Sequence, residues 1–243
     1  MEKTKKRITA QGLEKISEAM LTAFLGCDFG MLQAVDMEKM AIEYFGLSVQ
    51  YEVLSATGNL QALSVFRTMN LYFPATKSLQ VHTISAGTIL VDSSLRSPAF
   101  RGRRNLAIAK ECARQLLFWK EPDAKKQAAQ LFSAQEAYSP QQLRISCGVC
   151  EWEVNTLSSA LLMPKSVINT LLNVFYGNTP VCVYGRGQLS AADRHLLDTF
   201  AAILGVTRSA LILRLWQLQR IAVLPGNALQ NYACTDDPQK AIS

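Results

Sequence analysis

The sequence predicts an α+β protein, on three observations. Apolar residues recur at helical spacing near the N-terminus and again through the C-terminal half. The β-like runs are gathered between residues 47 and 92 rather than alternating with helices along the chain. Of the 243 residues 49% are hydrophobic and only 18% charged, enough for one sizeable core and unlike a disordered chain.

Residues 8–25 put Ile8, Leu13, Ile16, Met20, Leu21 and Phe24 at helical spacing, and Gly26 and Gly30 end the run. Asp36 suits the N-cap of a second helix through Met40, Ile42 and Phe45, because its carboxylate can accept from the orphan amides of the first turn; Gly46 is the stop. "LSVQYEVLS" reads as a strand, followed by the β-like runs "LSVFRTM", "LQVHTI" and "TILVDSS", with Ser85-Ala86-Gly87 as a hairpin turn. A helix over about 103–119 carries Leu106, Ala109, Ala113, Leu116 and Leu117 as its buried stripe. A weaker helix is expected over about 123–136. "EWEVNTLSSALLMPKSVINTLLNVF" predicts one helix through Leu162, a stop near Pro164, and a second helix. "VCVYGRG" is a short strand or loop, Ser190 caps a helix that begins AADRHLLDTF, and the chain after Pro225 carries little pattern.

The net charge is +6, with clusters at Lys3, Lys5, Lys6 and Arg7 and at Arg101, Arg103 and Arg104. This permits weak attraction to nucleic acid without requiring it. No apolar run reaches the roughly 18 residues of a bilayer span, and the basic start leads into no apolar signal core. The expectation is a cytoplasmic protein with no membrane partner. Its six cysteines, Cys27, Cys112, Cys147, Cys150, Cys182 and Cys234, then read as reduced thiols rather than a disulfide framework. Cys147-Gly-Val-Cys150 is a lone C-x-x-C, too little to specify a metal site.

The stretch "AKECARQLL" is the most enzyme-like of the chain. With histidine in place of Lys110 and Arg114 it would spell H-E-x-x-H, in which two imidazoles four residues apart share a helix face and grip one zinc ion, while the Glu serves the bound water as general base. Here both ligand positions hold cations. The only histidines, His82 and His195, lie far from this helix in sequence and read as surface or structural residues.

"TILVDSSLRSPAFRGRRNLAIAKECARQLL" followed by "CEWEVNTLSSALLMPKSVI" resembles the ImmA/IrrE family of zinc metallopeptidases. Arg103, Arg104, Ala109 and Glu111 match the first motif helix; Glu151, Asn155, Leu161, Leu162, Met163 and Pro164 match the second, with Val154 at the usual Ala. The resemblance spans roughly residues 8–222. In the family the two motif histidines and the Glu that fits Glu151 hold the metal, and the first-helix Glu is the catalytic base. The resemblance thus implies a zincin-like fold with a helix-rich N-terminus that keeps both glutamates and loses both histidines. What is left is a remnant site of Lys110, Glu111, Arg114, Glu151 and Asn155, with no metal, no cofactor and no catalytic residue expected. Lys110 or Arg114 is expected to pair with Glu151 and Glu111 in the place of zinc.

Residues 196–218 have the outline of a helix-turn-helix: Ala201 or Ala202 as the small residue, Gly205 at the turn, and a second helix after Val206-Thr207 with Ala210, Leu211, Leu213 and Leu215 apolar. Arg208, Arg214, Gln217 and Arg220 are its candidate DNA contacts, although the apolar content favours a packing unit. The expected organisation is a zincin-like core with N-terminal helices over 1–185, a helical unit over 186–225 and an irregular tail over 226–243. The first functional expectation is an inactive ImmA/IrrE-like pseudopeptidase that grips a protein partner, a helix-turn-helix regulator being one that fits the family's association with repressors. The second is a DNA-binding regulator acting through residues 196–220. The third is a peptidase with an unorthodox site, recruiting Cys112 or the Cys147/Cys150 pair and a base that no nearby histidine supplies.

Overall fold

A computed structural model describes residues 7–26, 32–73, 81–120, 126, 132–133, 135–144 and 149–225. It is a mixed α+β fold. Helix α1 (Ala10–Leu25) starts at Thr9, whose hydroxyl accepts from the Gly12 amide, and α2 (Met37–Glu43) starts at Asp36, whose carboxylate accepts from Lys39 N. Strand β1 (Ser48–Glu52) runs parallel to β5 (Thr88–Asp92), and β2 (Ala62–Val65) runs antiparallel on the other side of β5. This sheet, ordered β1-β5-β2, is the scaffold of the site. Every residue of β5 is buried, and the two-residue side-chain period divides them between two cores. Ile89 and Val91 join the large cluster with the helices, whereas Leu90 joins Leu63, Val65, Leu71 and Phe73 on the opposite face.

A second sheet is ordered β4-β3-β6, from β3 (Met69–Tyr72), β4 (Val81–Ile84) and β6 (Ala137–Tyr138). Two expectations are corrected here. "LSVFRTM" is not one run: it breaks at residues 66–68 and changes sheets. Phe66 stacks on Phe118 with ring centroids 4.0 Å apart, and Arg67 Nη1 donates to Phe132 O at 2.7 Å, so tertiary contacts divide the segment. Residues 85–87 do not close a hairpin either, because β4 and β5 belong to different sheets. Gly87, at φ +76°, instead donates to Val65 O at 2.8 Å and accepts from Ser48 N at 3.0 Å, tying the crossover to β2 and β1.

After two short 3-10 turns, α3 (Arg101–Lys120) passes between the first sheet and α5 (Glu151–Leu162). The helix expected over 123–136 lies largely outside the described residues, and its end at 132–136 is not helical where described. A short α4 (Pro140–Arg144) follows β6. Helix α5 ends at Met163, and Pro164 starts α6 (Lys165–Tyr176). Strand β7 (Val181–Tyr184) leads to α7 (Ala191–Ile203), capped by Ser190, then α8 (Arg208–Gln217), capped by Thr207, and β8 (Ile221–Leu224), which pairs in parallel with β7. No single described helix is long and apolar enough to cross a membrane.

Helices α7 and α8 meet at 97° across a link containing Gly205, within the range of helix-turn-helix units. That link rests against α3. Asn105 Nδ2 donates to Gly205 O at 2.9 Å, and a Cβ on Gly102 would stand only 2.7 Å from the Val206 carbonyl carbon. Arg214 on α8 is wholly buried: its Nη1 and Nη2 donate to the two oxygens of Glu14 at 2.6 and 2.8 Å, and its Nε donates to Met163 O at 2.9 Å. This bidentate pair ties α8 to α1 and to the end of α5.

Candidate functional site

The edge strand β2 and helix α3 face each other across a cleft of about 250 Å3. Residues 59–63 form one wall; Ala107, Lys110, Glu111 and Arg114 form the other, with Glu151 from the first turn of α5 at the rim. Helical geometry puts Lys110, Glu111 and Arg114 within one turn of each other, and the packing of α5 along α3 brings Glu151 to them from 37 residues away.

Arg114 joins the two glutamates. Its Nη1 donates to Glu151 Oε1 at 2.5 Å, and its Nη2 lies 3.4 Å from Glu151 Oε2. On the other side its Nε lies 3.3 Å from Glu111 Oε2. The same Glu111 oxygen accepts from the Ser64 hydroxyl at 2.7 Å. The expected pairing is therefore present, through Arg114 and not Lys110. It is also lopsided: the side chains of Glu111 and Arg114 are 8% and 14% exposed, but that of Glu151 is 66% exposed. The inner contact lies in a poorly solvated setting and the outer one in water, so the expectation of one buried pair holds only for its inner half.

Ser64 was absent from the sequence reading. Nothing in "LSVFRTM" marks it, because its partner lies 47 residues on, on another element. Glu153 was missed as well: it is buried, and its Oε1 accepts from Ile8 N at 2.7 Å, fixing the start of α1 to α5. Asn155 is half-buried one turn after Glu151 and does not line the cleft. His82 and His195 are both exposed, on β4 and α7, away from it. Among the described residues, no three His, Cys, Asp or Glu side chains converge as a metal site would require.

Among the described residues, no cysteine offers a nucleophile at the cleft. Cys112 follows Glu111 but is 0% exposed, and burial, reinforced by the Glu111 charge, pushes its thiol far above the ordinary range. A thiol held protonated in a core cannot serve the unorthodox hydrolase considered from sequence. Cys150 stands at the N-cap of α5 without a side-chain capping bond, and Cys147 lies outside the described residues.

The four DNA candidates divide. Arg214 is corrected outright: a guanidinium buried against Glu14 and Met163 O is not available to a duplex. Arg220 Nη2 donates to Asn169 Oδ1 at 3.0 Å. Arg208 is partly exposed and pairs with Asp198 at 2.7 Å, while Gln217 is exposed. Leu213 and Trp216, 63% and 47% exposed, give the outer face of α8 an apolar character, whereas base-edge readout rests mainly on polar side chains. Of the arginines around the start of α3, Arg104 turns inward, donating to Arg96 O at 2.9 Å; Arg101 and Arg103 are exposed.

No family model matches the chain. No curated protein matches it either. Among solved structures it is similar to a Mycobacterium tuberculosis transcriptional regulator, at 18% identity and a TM-score of 0.41, over 86% of this chain and 48% of that one. The chain thus spans about half the length of that structure.

Proposed function

We propose that this chain is a non-cleaving ImmA/IrrE-like protein that holds a segment of a protein partner in the cleft between β2 and α3. The observation that carries the reading is the Arg114 guanidinium, bonded to Glu151 and beside Glu111. Under the resemblance, those carboxylates would flank zinc. A guanidinium neutralises them, but it has no lone pair for a metal and cannot lower the pKa of a bound water to make a nucleophile. The site thereby keeps its electrostatic balance and loses its hydrolytic chemistry.

Among the described residues, none fills the cleft. Asp92 N donates to Gln61 O at 2.9 Å, so the alternation of an antiparallel ladder turns Gln61 and Leu63 toward β5 and the backbone groups of Ala62 and Ser64 toward the open edge. An extended segment can pair with such an edge. A helix-turn-helix regulator fits as the partner by family analogy alone. The test is incubation of the purified protein with an unfolded protein such as casein, with and without added zinc, beside the double variant Lys110→His with Arg114→His. No hydrolysis is expected from the unaltered chain under either condition, and the double variant is expected to take up zinc. Zinc-dependent cleavage by the unaltered chain would overturn the proposal.

A second reading, a DNA-binding regulator acting through residues 196–220, draws on the 97° crossing of α7 and α8 and on Arg208 at the start of α8. Its discriminating test is duplex binding: sequence preference that is lost on Arg208→Ala favours it, and salt-dependent binding without preference counts against it.

A further inference from the structure

We infer that Lys110 is the element of the cleft that recognises a carboxylate on the bound segment; this rests on the cleft being a peptide site. Among the described residues, four charged side chains line the cleft: Lys110, Glu111, Arg114 and Glu151. Three are committed to each other, Arg114 bonding Glu151 at 2.5 Å and lying 3.3 Å from Glu111. Lys110 is the remaining one, half-buried on the same helix turn, and it has no hydrogen-bond or ion-pair partner among the described residues. An ammonium carries three donors and no acceptor, and partial removal from water costs free energy that an anion restores.

The charge balance selects the sign of the ligand. Arg114 engages both carboxylates and the four charges cancel, so an incoming carboxylate meets the unengaged Lys110 ammonium without net repulsion from these side chains. A basic side chain would meet an uncommitted ammonium and two carboxylates already engaged by Arg114. The number of donors selects the class. Lys110 is a single point charge, and the guanidinium beside it, Arg114, is engaged by both glutamates, which suits a singly charged carboxylate better than a phosphate. Leu60, Leu63 and Ala107 leave apolar surface for the neighbouring residues of the segment.

The carboxylate is that of an Asp or Glu side chain on a segment paired along the β2 edge, and the test sets it against a chain end. The full isotope-labelled chain is titrated, with NMR shifts as readout, with acetyl-Ala-Val-Glu-Val-Ala-amide, its Gln counterpart, and acetyl-Ala-Val-Ala with a free C-terminal carboxylate. An anionic peptide is expected to bind about tenfold more tightly than the Gln peptide, a factor of ten being a modest gain for a charge-assisted contact. Lys110→Gln is expected to abolish that preference and Lys110→Arg to retain it. Tighter binding of the third peptide than of the first overturns the side-chain assignment in favour of a chain end. Equal affinity for the Glu and Gln peptides, without a gain from the free chain end, overturns the inference and leaves the peptide cleft standing. A preference that survives Lys110→Gln overturns the role of Lys110. Binding by none of the three overturns both the inference and the peptide reading beneath it.

Discussion

Replacing Arg114 with alanine separates the two halves of the cleft's charge cluster. The inner half is Arg114 with Glu111, whose side chains are 14% and 8% exposed; the outer half is Arg114 with Glu151, whose side chain is 66% exposed. Removing the guanidinium leaves the Glu111 carboxyl in a poorly solvated position with the Ser64 hydroxyl at 2.7 Å as its remaining side-chain donor among the described residues. Breaking a buried pair in this way costs about 3–5 kcal/mol. Glu151→Gln acts on the solvated half and is expected to cost about 0–1 kcal/mol, the range for exposed pairs. Glu111→Gln in the Arg114→Ala background removes the stranded charge while an amide oxygen can still accept from Ser64, so the double variant should recover part of the loss. Urea unfolding of the two single variants and the double variant, read as midpoints with the slope checked for constancy, measures the difference. A cost below about 1 kcal/mol for Arg114→Ala, or one no larger than that of Glu151→Gln, would refute the inner-pair reasoning.

Three further outcomes follow from Arg214, Cys112 and the half-buried Tyr51. Arg214→Met strands Glu14 beside the end of α5 and should cost about 3–5 kcal/mol by denaturant unfolding, with Glu14→Leu in the same chain recovering most of it; a loss under about 1 kcal/mol would contradict the buried pair. Cys112 should stay unlabelled by a thiol reagent at mildly alkaline pH until the fold is opened with denaturant, as read by peptide mass, because burial holds its thiol protonated; native labelling at the rate of a free thiol would contradict this. Burial, and then the Glu38 carboxylate at 2.7 Å, push the Tyr51 phenol up to about 12, above its ordinary value of 10.0. The folded chain therefore retains that proton where the unfolded chain releases it, and the stabilisation present below pH 10 is lost as pH rises from about 10 toward 12. Tyr51→Phe should flatten that alkaline fall in a series of unfolding curves, and an unchanged slope would refute the assignment.

Local chemistry was legible in the sequence wherever the determinant was local. Thr9, Asp36 and Ser190 lie immediately before helices α1, α2 and α7, and each accepts from the first turn. Asp36 and Ser190 could be named as caps because a short oxygen-bearing side chain before an apolar stripe has few other uses. The sheets were less legible. Nothing within "LSVFRTM" says that the chain leaves one sheet for another at residues 66–68, since the contacts responsible come from Phe118 and Phe132. Arg214 is a different case, for its signal was present. It falls three and four positions after Leu211 and Ala210, on the face that α8 buries, so helical spacing pointed it inward while its charge argued for solvent. What the sequence lacked was Glu14, 200 residues away, which makes the burial tolerable. At the cleft, the resemblance implied that Lys110, Glu111, Arg114 and Glu151 lie together, but nothing in the sequence says that Arg114 and not Lys110 takes the bridge.

The zinc content of the purified protein bears most directly on the central proposal, that an arginine stands where a related site would hold metal. Elemental analysis after dialysis against zinc-containing and then zinc-free buffer is expected to find no stoichiometric zinc, because Arg114 engages both carboxylates and the remaining motif position is Lys110. About one tightly held zinc ion per chain, lost on Glu151→Gln, would contradict it.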